Sequence, residues 1–433
     1  MNKNIYNTQF VFDPEFVKTN PNNFRNYFLV ILIILFEDSP FFLLNNKQIY
    51  WVIIFSLLLL FNFGRKIIYN RKIFLVILSV WVLIFFQYLF FSGGLTPAAL
   101  YKPIWVFYTP FLVFTLMGIK YFKYLLNVIY FVAIYTTLIY LLQSFIPDFN
   151  DLLLRAFDAV FPYSWADWPH TILIYSAPQE SGFFFMRNSG IFHEPGAYSI
   201  YLMLAIVINT FFTNRPLNRK NIFLAIVLLS TFSTTGYIML FVFLCYALIR
   251  SKIHFALKPV IIILFAILVS TVYRDSKFLE QKVEENLATQ TESLEKGEKS
   301  QRGRFYSFGM SVKSFVETPI TGRGILTMHK YDVGAGGSFG YGFAGLFAMY
   351  GMFFGLFYMW IFYKGFLTMS KFYQMPLIYG VIAFIVINLG LLTQIFFFHT
   401  PFIYFFIIGL FLPPSSVVTT DPIYGYRDKR LVM

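Results

Sequence analysis

Apolar residues along this chain gather into long blocks separated by short polar and charged interruptions. Most blocks run about 15 to 22 residues, the length an α-helix needs to cross a bilayer. Reading blocks against interruptions predicts helices over residues 27–44, 49–63, 73–91, 103–118, 124–145 and 196–212, followed by 221–234, 236–249, 258–273, 341–363, 376–397 and 401–412. The blocks at 236–249 and 401–412 are short for a full span. The expected architecture is an all-α integral membrane protein, a single polytopic domain over 1–433 with about twelve transmembrane helices.

The basic residues give this pattern an orientation. Arg215, Arg219 and Lys220 precede the 221–249 stretch, and Arg250, Lys252 and Lys258 follow it. Cytoplasmic loops attract Lys and Arg, so the stretch reads as a hairpin with both flanks in the cytoplasm. Lys364 and Lys371 on one side, with Arg427, Lys429 and Arg430 on the other, fold 376–412 back at His399, Thr400 and Pro401 in the same way. Both termini are then cytoplasmic, as tails over 1–26 and 413–433. Residues 1–25 hold no apolar run ahead of a small-residue cleavage site, so the first span reads as an uncleaved anchor. Three external segments remain, 92–102, 146–195 and 274–340. In the last, Leu279, Val283 and Leu287, and then Phe305, Phe308, Val312 and Phe315, recur at helical spacing. This predicts two amphipathic helices lying over the membrane face. The glycine-rich stretch TGRGILTMHKYDVGAGGSFGYG follows, able to wrap a ligand closely or simply to turn the chain into the next helix.

Composition agrees with the pattern and narrows the chemistry. Hydrophobic residues make up 58% and charged residues 13%, against roughly 45–50% and 25% in soluble domains, which excludes an ordinary soluble protein. The net charge of +13 speaks first for membrane orientation, so no nucleic-acid partner is expected. Cys245 is the single cysteine, leaving neither a disulfide framework nor a CxxC site, and the fold must be held by helix packing. The five histidines are dispersed, with no HExxH, no Asp-rich cluster and no GxxxxGK[ST] loop, so no metal and no nucleotide cofactor is expected. Any glycan chemistry would need a donor already activated outside the membrane.

The segment RNSGIFHEPGAYS, Arg187 to Ser199, joins the second external segment to a span, with Pro195 suited to the first helical position. Glu194 is then the cap at the helix mouth. The macrodipole favours its charged form there, which suits a proton acceptor, and His193 beside it can exchange protons near neutral pH. The same pair also suits a plain capping glutamate with an interfacial histidine. Arg187, Arg302, Arg304 and Arg323 all fall on the external side near helix ends, where guanidinium forks grip phosphate oxygens in bidentate fashion; pairing with lipid headgroups or with acidic residues of the loop is the alternative. His329 and Lys102 are lone basic residues near an interface. Glu37 and Asp38 lie late in the first span, at the outer interface or facing the bundle, with no role assigned.

RNSGIFHEPGAYSIYL, followed later by QRGRFYSFGMSVKSFVETPITGRG, resembles the O-antigen polymerases and, more distantly, the O-antigen ligases of Gram-negative bacteria. The elements that carry the likeness are Arg187, Gly190, Phe192 and Pro195, then Arg302 or Arg304, Pro319, Gly322 and Gly324. The His-Asn pair that ligases place about a dozen residues before a helix-starting glycine is replaced here, ahead of Gly351, by Ser338, Phe339 and Gly340, which favours polymerase. The resemblance implies a GT-C-like polymerase/ligase fold in the bacterial inner membrane with its active site facing the periplasm, where 146–195 and 274–340 are periplasmic loops. It implies metal-independent glycosyl transfer in which an undecaprenyl-pyrophosphate-linked glycan is both donor and acceptor, beside membrane lipids and a chain-length regulator protein. Glu194 and His193 would handle the acceptor proton, and the arginines would hold the pyrophosphate. A ligase transferring polymer to lipid A-core is one alternative. A transporter of lipid-linked glycans is another, disfavoured because neither an internal repeat nor paired broken helices is visible in the sequence. A structural member of a glycan assembly complex is the third.

Overall fold

The computed structural model describes residues 23–40, 47–63, 70–91, 97–146, 170–172, 175–177, 187–275, 304–324, 342–392 and 396–412, with Gln394 and a few residues between 148 and 156. The tails, the segment carrying Leu279, Val283 and Leu287, and Arg302 and His329 lie outside the described residues.

Each of the twelve apolar blocks meets a helix. The first half runs α1 (Asn23–Asp38), α2 (Lys47–Asn62), α3 (Arg71–Phe91), α4 (Pro97–Pro103), α5 (Thr109–Met117) and α6 (Tyr121–Phe145). The second runs α7 (Pro195–Thr213), α8 (Arg219–Leu229), α9 (Thr234–Arg250), α10 (Leu257–Asp275), α11 (Arg304–Glu317), α12 (Phe343–Phe372), α13 (Leu377–Leu391) and α14 (Thr400–Phe411). Four stretches, Arg71–Phe90, Leu100–Phe145, Pro195–Thr213 and Phe343–Phe372, are long and apolar enough to cross a membrane; five further apolar helices are shorter. The chain is thus a mostly helical membrane protein.

Three features depart from the sequence reading. A small antiparallel ribbon, β1 (His170–Ile172) and β2 (Tyr175–Ala177), interrupts the all-α plan, with His170 opposite Ala177. It is tied down by Ser176 N–H donating to the Gly190 carbonyl at 2.7 Å and by the Tyr175 hydroxyl donating to Gln143 at 2.8 Å. The block at 103–118 contains a π-helical turn, Ile104–Tyr108, which joins α4 to α5 through Pro103. Finally, α12 is broken at Gly351, where φ is +73°, so one broken helix exists where none was expected.

Close packing holds the bundle together. α12 meets α14 where Gly365 lies against the Phe405 backbone and Gly409 against Ile361 and Gly365, so that a Cβ at either glycine would collide with a carbonyl oxygen. Small residues that let two backbones approach are how helices associate when no hydrophobic force separates them from lipid. Around this contact Phe366 stacks on Phe405 with centroids 4.0 Å apart and Tyr358 stacks on Phe406 at 4.9 Å. Buried tyrosines satisfy their hydroxyls on distant carbonyls: Tyr379 on Val207 at 2.7 Å, Tyr404 on Gly118 at 2.6 Å and Tyr358 on Phe397 at 2.5 Å. Each such bond contributes about 0.6 to 2 kcal/mol in a membrane setting and also fixes helix register.

The break in α12 is filled by the chain itself. The Ala348 and Met349 carbonyls, released by the break, accept from the N–H groups of Arg323 (2.8 Å) and Gly324 (3.0 Å), and Met352 N–H donates to Pro319 (2.7 Å). Gln87 of α3 clamps the junction by donating to Thr321 and Met349, each at 2.7 Å. Irregular backbone at membrane depth persists only when its polar groups are satisfied in this way. Gly322 and Gly324 adopt φ of +63° and +80°, a region in which a side chain is strained.

α11 forms as its spacing predicts. It buries Ser311 and Ser314 and rests Phe315 against Phe347, while Phe308, Val312 and Val316 are 42%, 39% and 68% exposed on its other face.

Candidate functional site

Three helix ends distant in sequence meet at one place: the C-terminus of α1, the N-terminus of α7, and the connection from α13 into α14. The approach to α7 is built first. Asn188 turns the chain by accepting from Gly190 N–H at 3.1 Å, and Gly190 takes φ of +59°. A Cβ there would meet the Tyr198 ring at 2.9 Å, so glycine is required on both counts. Asn188 also anchors this turn to the α8–α9 corner through Ser230, with its N–H at 3.0 Å and its amide at 3.1 Å. Phe192 then buries between Tyr198 and Tyr201, and Pro195 starts the helix.

Glu194 occupies the cap position of α7 as expected, but its side chain does not cap. It instead accepts a hydrogen bond from the amide of Gln394. His193 turns toward α1: its N–H donates to the Asp38 carbonyl at 3.1 Å, and its Nδ1 lies 3.3 Å from the same oxygen.

The two carboxylates that end α1 are the centre of the site. Glu37 and Asp38 are 1% and 0% exposed. Glu37 sits on the N-terminus of α14, accepting from Thr400 N–H at 2.8 and 3.0 Å and from the Thr400 hydroxyl at 2.6 Å. An anion belongs there, because the unsatisfied amides and the macrodipole both point at it. Asp38 accepts from the Tyr201 hydroxyl and faces Nδ1 of His399, which straddles its oxygens at 3.1 and 3.2 Å. The Phe396 ring packs against His399 (4.7 Å), Tyr201 (5.8 Å) and His193 (6.4 Å), fixing all three. Glu37, Asp38 and His399 offer ligand atoms within 4.8 Å of one another, and His193 and His399 both reach Asp38, so these two histidines are less dispersed than the sequence suggests. Both Glu37 oxygens are already engaged by Thr400, and the donor set fits a charge-compensated hydrogen-bond network better than a cation cage.

The arginines occupy other elements. Arg187 stands at the start of the α7 approach with Nε 3.4 Å from the Thr231 carbonyl. Arg323 pairs with Glu317 of α11 beside the α12 break. Arg304 begins α11, and Lys102 is exposed in the last turn of α4. The structure therefore joins His193 and Glu194 to Glu37, Asp38, Tyr201, Gln394 and His399. Sequence reasoning had left the last five without a role. The available signal was two adjacent acids inside an apolar block, costly unless partnered.

Chemically, the site combines a carboxylate at a helix mouth with two imidazoles whose Nδ1 atoms are committed to Asp38. This fixes which ring nitrogen each presents outward. Compared with known proteins, the chain matches no family model, no curated protein and no solved structure.

Proposed function

We propose that this protein is a membrane glycosyltransferase of the O-antigen polymerase type, extending a glycan on undecaprenyl pyrophosphate by transfer onto the next lipid-linked repeat unit at the periplasmic face of the bacterial inner membrane. The observation that carries the reading is the folded RNSGIFHEP segment. Its arginine, left-handed glycine, buried phenylalanine and helix-starting proline deliver Glu194 and His193 to a polar site among membrane-spanning helices. The second element of the likeness, PITGRG, is also in a constrained form, with both glycines at positive φ and docked in the α12 break.

In this reading Glu194 accepts the proton of the attacking hydroxyl, a role worth about 10²- to 10⁴-fold. Arg187 and the loop arginines, Arg302, Arg304 and Arg323, stabilise the charge that develops on the leaving pyrophosphate. The polyprenyl-linked substrate supplies the activation, so the reaction needs neither metal nor nucleotide, and a chain-length regulator is the expected protein partner.

The test is to delete the gene in its host, then resolve surface lipopolysaccharide on a gel beside the extracted lipid-linked intermediates. A single-repeat band replacing the ladder supports polymerase. Long polymer stranded on the carrier means ligase, and single units protected on the cytoplasmic side mean transporter. Complementation with Glu194→Gln or Arg187→Glu should leave the single-repeat band although the protein accumulates in the membrane; a normal ladder from the first removes Glu194 as the base.

A further inference from the structure

The oxygen released on the leaving pyrophosphate can take up a proton as well as pair with the arginines, and one residue carries the arrangement of a proton donor. His399 stands between α13 and α14, five positions after the glutamine that holds Glu194. Its Nδ1 is committed to Asp38, which is fully buried, while the histidine side chain is 18% exposed. Among the described residues its Nε2 has no hydrogen-bond partner. The ring is fixed by Phe396 on its face, and Asp38 is fixed in turn by the Tyr201 hydroxyl. A buried carboxylate that orients a partly exposed imidazole through one ring nitrogen and leaves the other uncommitted is the arrangement of a proton-transfer dyad.

Resting on the function proposed above, we infer that His399 is the acid partner of Glu194, with Asp38 as its positioning residue. The acceptor hydroxyl forms a bond to the anomeric carbon of the donor and gives its proton to the Glu194 carboxylate. The anomeric carbon–oxygen bond to pyrophosphate breaks, its electron pair goes to that oxygen, and the proton on His399 Nε2 is handed to it. Solvent returns a proton to His399 and removes one from Glu194. The charged and titratable groups of this network are Glu37 and Asp38 from α1, which face the ring, and Tyr201 from α7 and His193 from the approach to α7, which reach Asp38; Glu194 is held by Gln394 on the connection that also carries His399. Tyr121 of α6 lies within electrostatic range of Glu37.

The experiment uses the full chain purified in detergent, with undecaprenyl-pyrophosphate-linked repeat units extracted from the deletion strain, and follows kcat/KM against pH. The wild-type profile should be bell-shaped. Glu194→Gln should remove the acid limb with the rate, and His399→Gln should lower the rate roughly 10²-fold and flatten the alkaline limb. Asp38→Asn should move the alkaline limb to lower pH and lower the rate, because it removes the carboxylate that favours the charged imidazole and holds its orientation. A His399→Gln enzyme within about twofold of wild type with its bell intact overturns the inference while leaving Glu194 in place. A wild-type profile without an alkaline limb does the same even if no variant folds. Failure of the wild-type chain to polymerise the substrate overturns the function itself.

Discussion

The contact between Glu37 and Thr400 ties the first helix to the last, and its strength can be worked from the structure. Thr400 presents two donors to a carboxylate that is 1% exposed, at 2.6 to 3.0 Å. Hydrogen bonds to a charged group contribute about 1.5 to 3 kcal/mol each, and a buried donor left without its acceptor costs about 1 to 3 kcal/mol. Against this stands the desolvation of the carboxylate, which cancels part of the gain, and measured coupling between membrane helices averages about 0.6 kcal/mol. Thr400→Val removes the hydroxyl and keeps the backbone donor, so a loss of about 1 kcal/mol is expected. Glu37→Gln retains one acceptor but turns an amide N–H₂ toward the helix N-terminus, where the macrodipole disfavours it, for about 2 kcal/mol. The double variant should lose about 1 kcal/mol less than the two single losses added together, because both remove the same bond. Equilibrium unfolding of the purified protein in mixed micelles, titrated with a denaturing detergent, reads all three. Strictly additive losses, or a Glu37→Gln protein as stable as wild type, would refute the claim that Glu37 caps the last helix.

Packing and backbone devices elsewhere give further expectations. Gly365→Val drives side-chain carbon onto the Phe405 carbonyl and separates α12 from α14, so a loss of about 3 kcal/mol or more is expected, read as aggregation on size-exclusion chromatography; a monodisperse protein of unchanged stability would show that the close approach is not required. Gln87→Leu strips two hydrogen bonds from the junction of α3, the PITGRG segment and the α12 break. It should cost about 1 to 3 kcal/mol and speed proteolysis near residue 320, whereas wild-type proteolytic resistance would count against the clamp.

Much of this architecture could be read directly from the sequence. Every apolar block from 27–44 to 401–412 meets a helix, because the free energy of moving a residue into hydrocarbon is its own property and sums along a segment without reference to distant partners. The start of α7 was equally visible, because a helix that begins on proline is a local demand, whereas the turn at Gly190 was not read from the sequence. The ribbon at 170–177, the π-helical turn at Ile104–Tyr108 and the break at Gly351 were not visible. Each is stabilised by contacts from elsewhere in the chain, such as Gln143 on Tyr175 or Gln87 on Met349.

The site divides along the same line. The sequence by itself placed Glu194 and His193 at a helix mouth and put Glu37 and Asp38 at the outer interface or facing the bundle, with no role. It did not name the partners of these acids, because His399 and Thr400 sit at the opposite end of the chain. Their meeting is decided by how closely α12 lets α14 approach at Gly365 and Gly409, and by the Tyr201 hydroxyl of α7 that holds Asp38. Spans follow from one-body transfer energies, whereas the carboxylate–histidine cluster follows from pairwise distances between helix ends, and only the tertiary structure sets those.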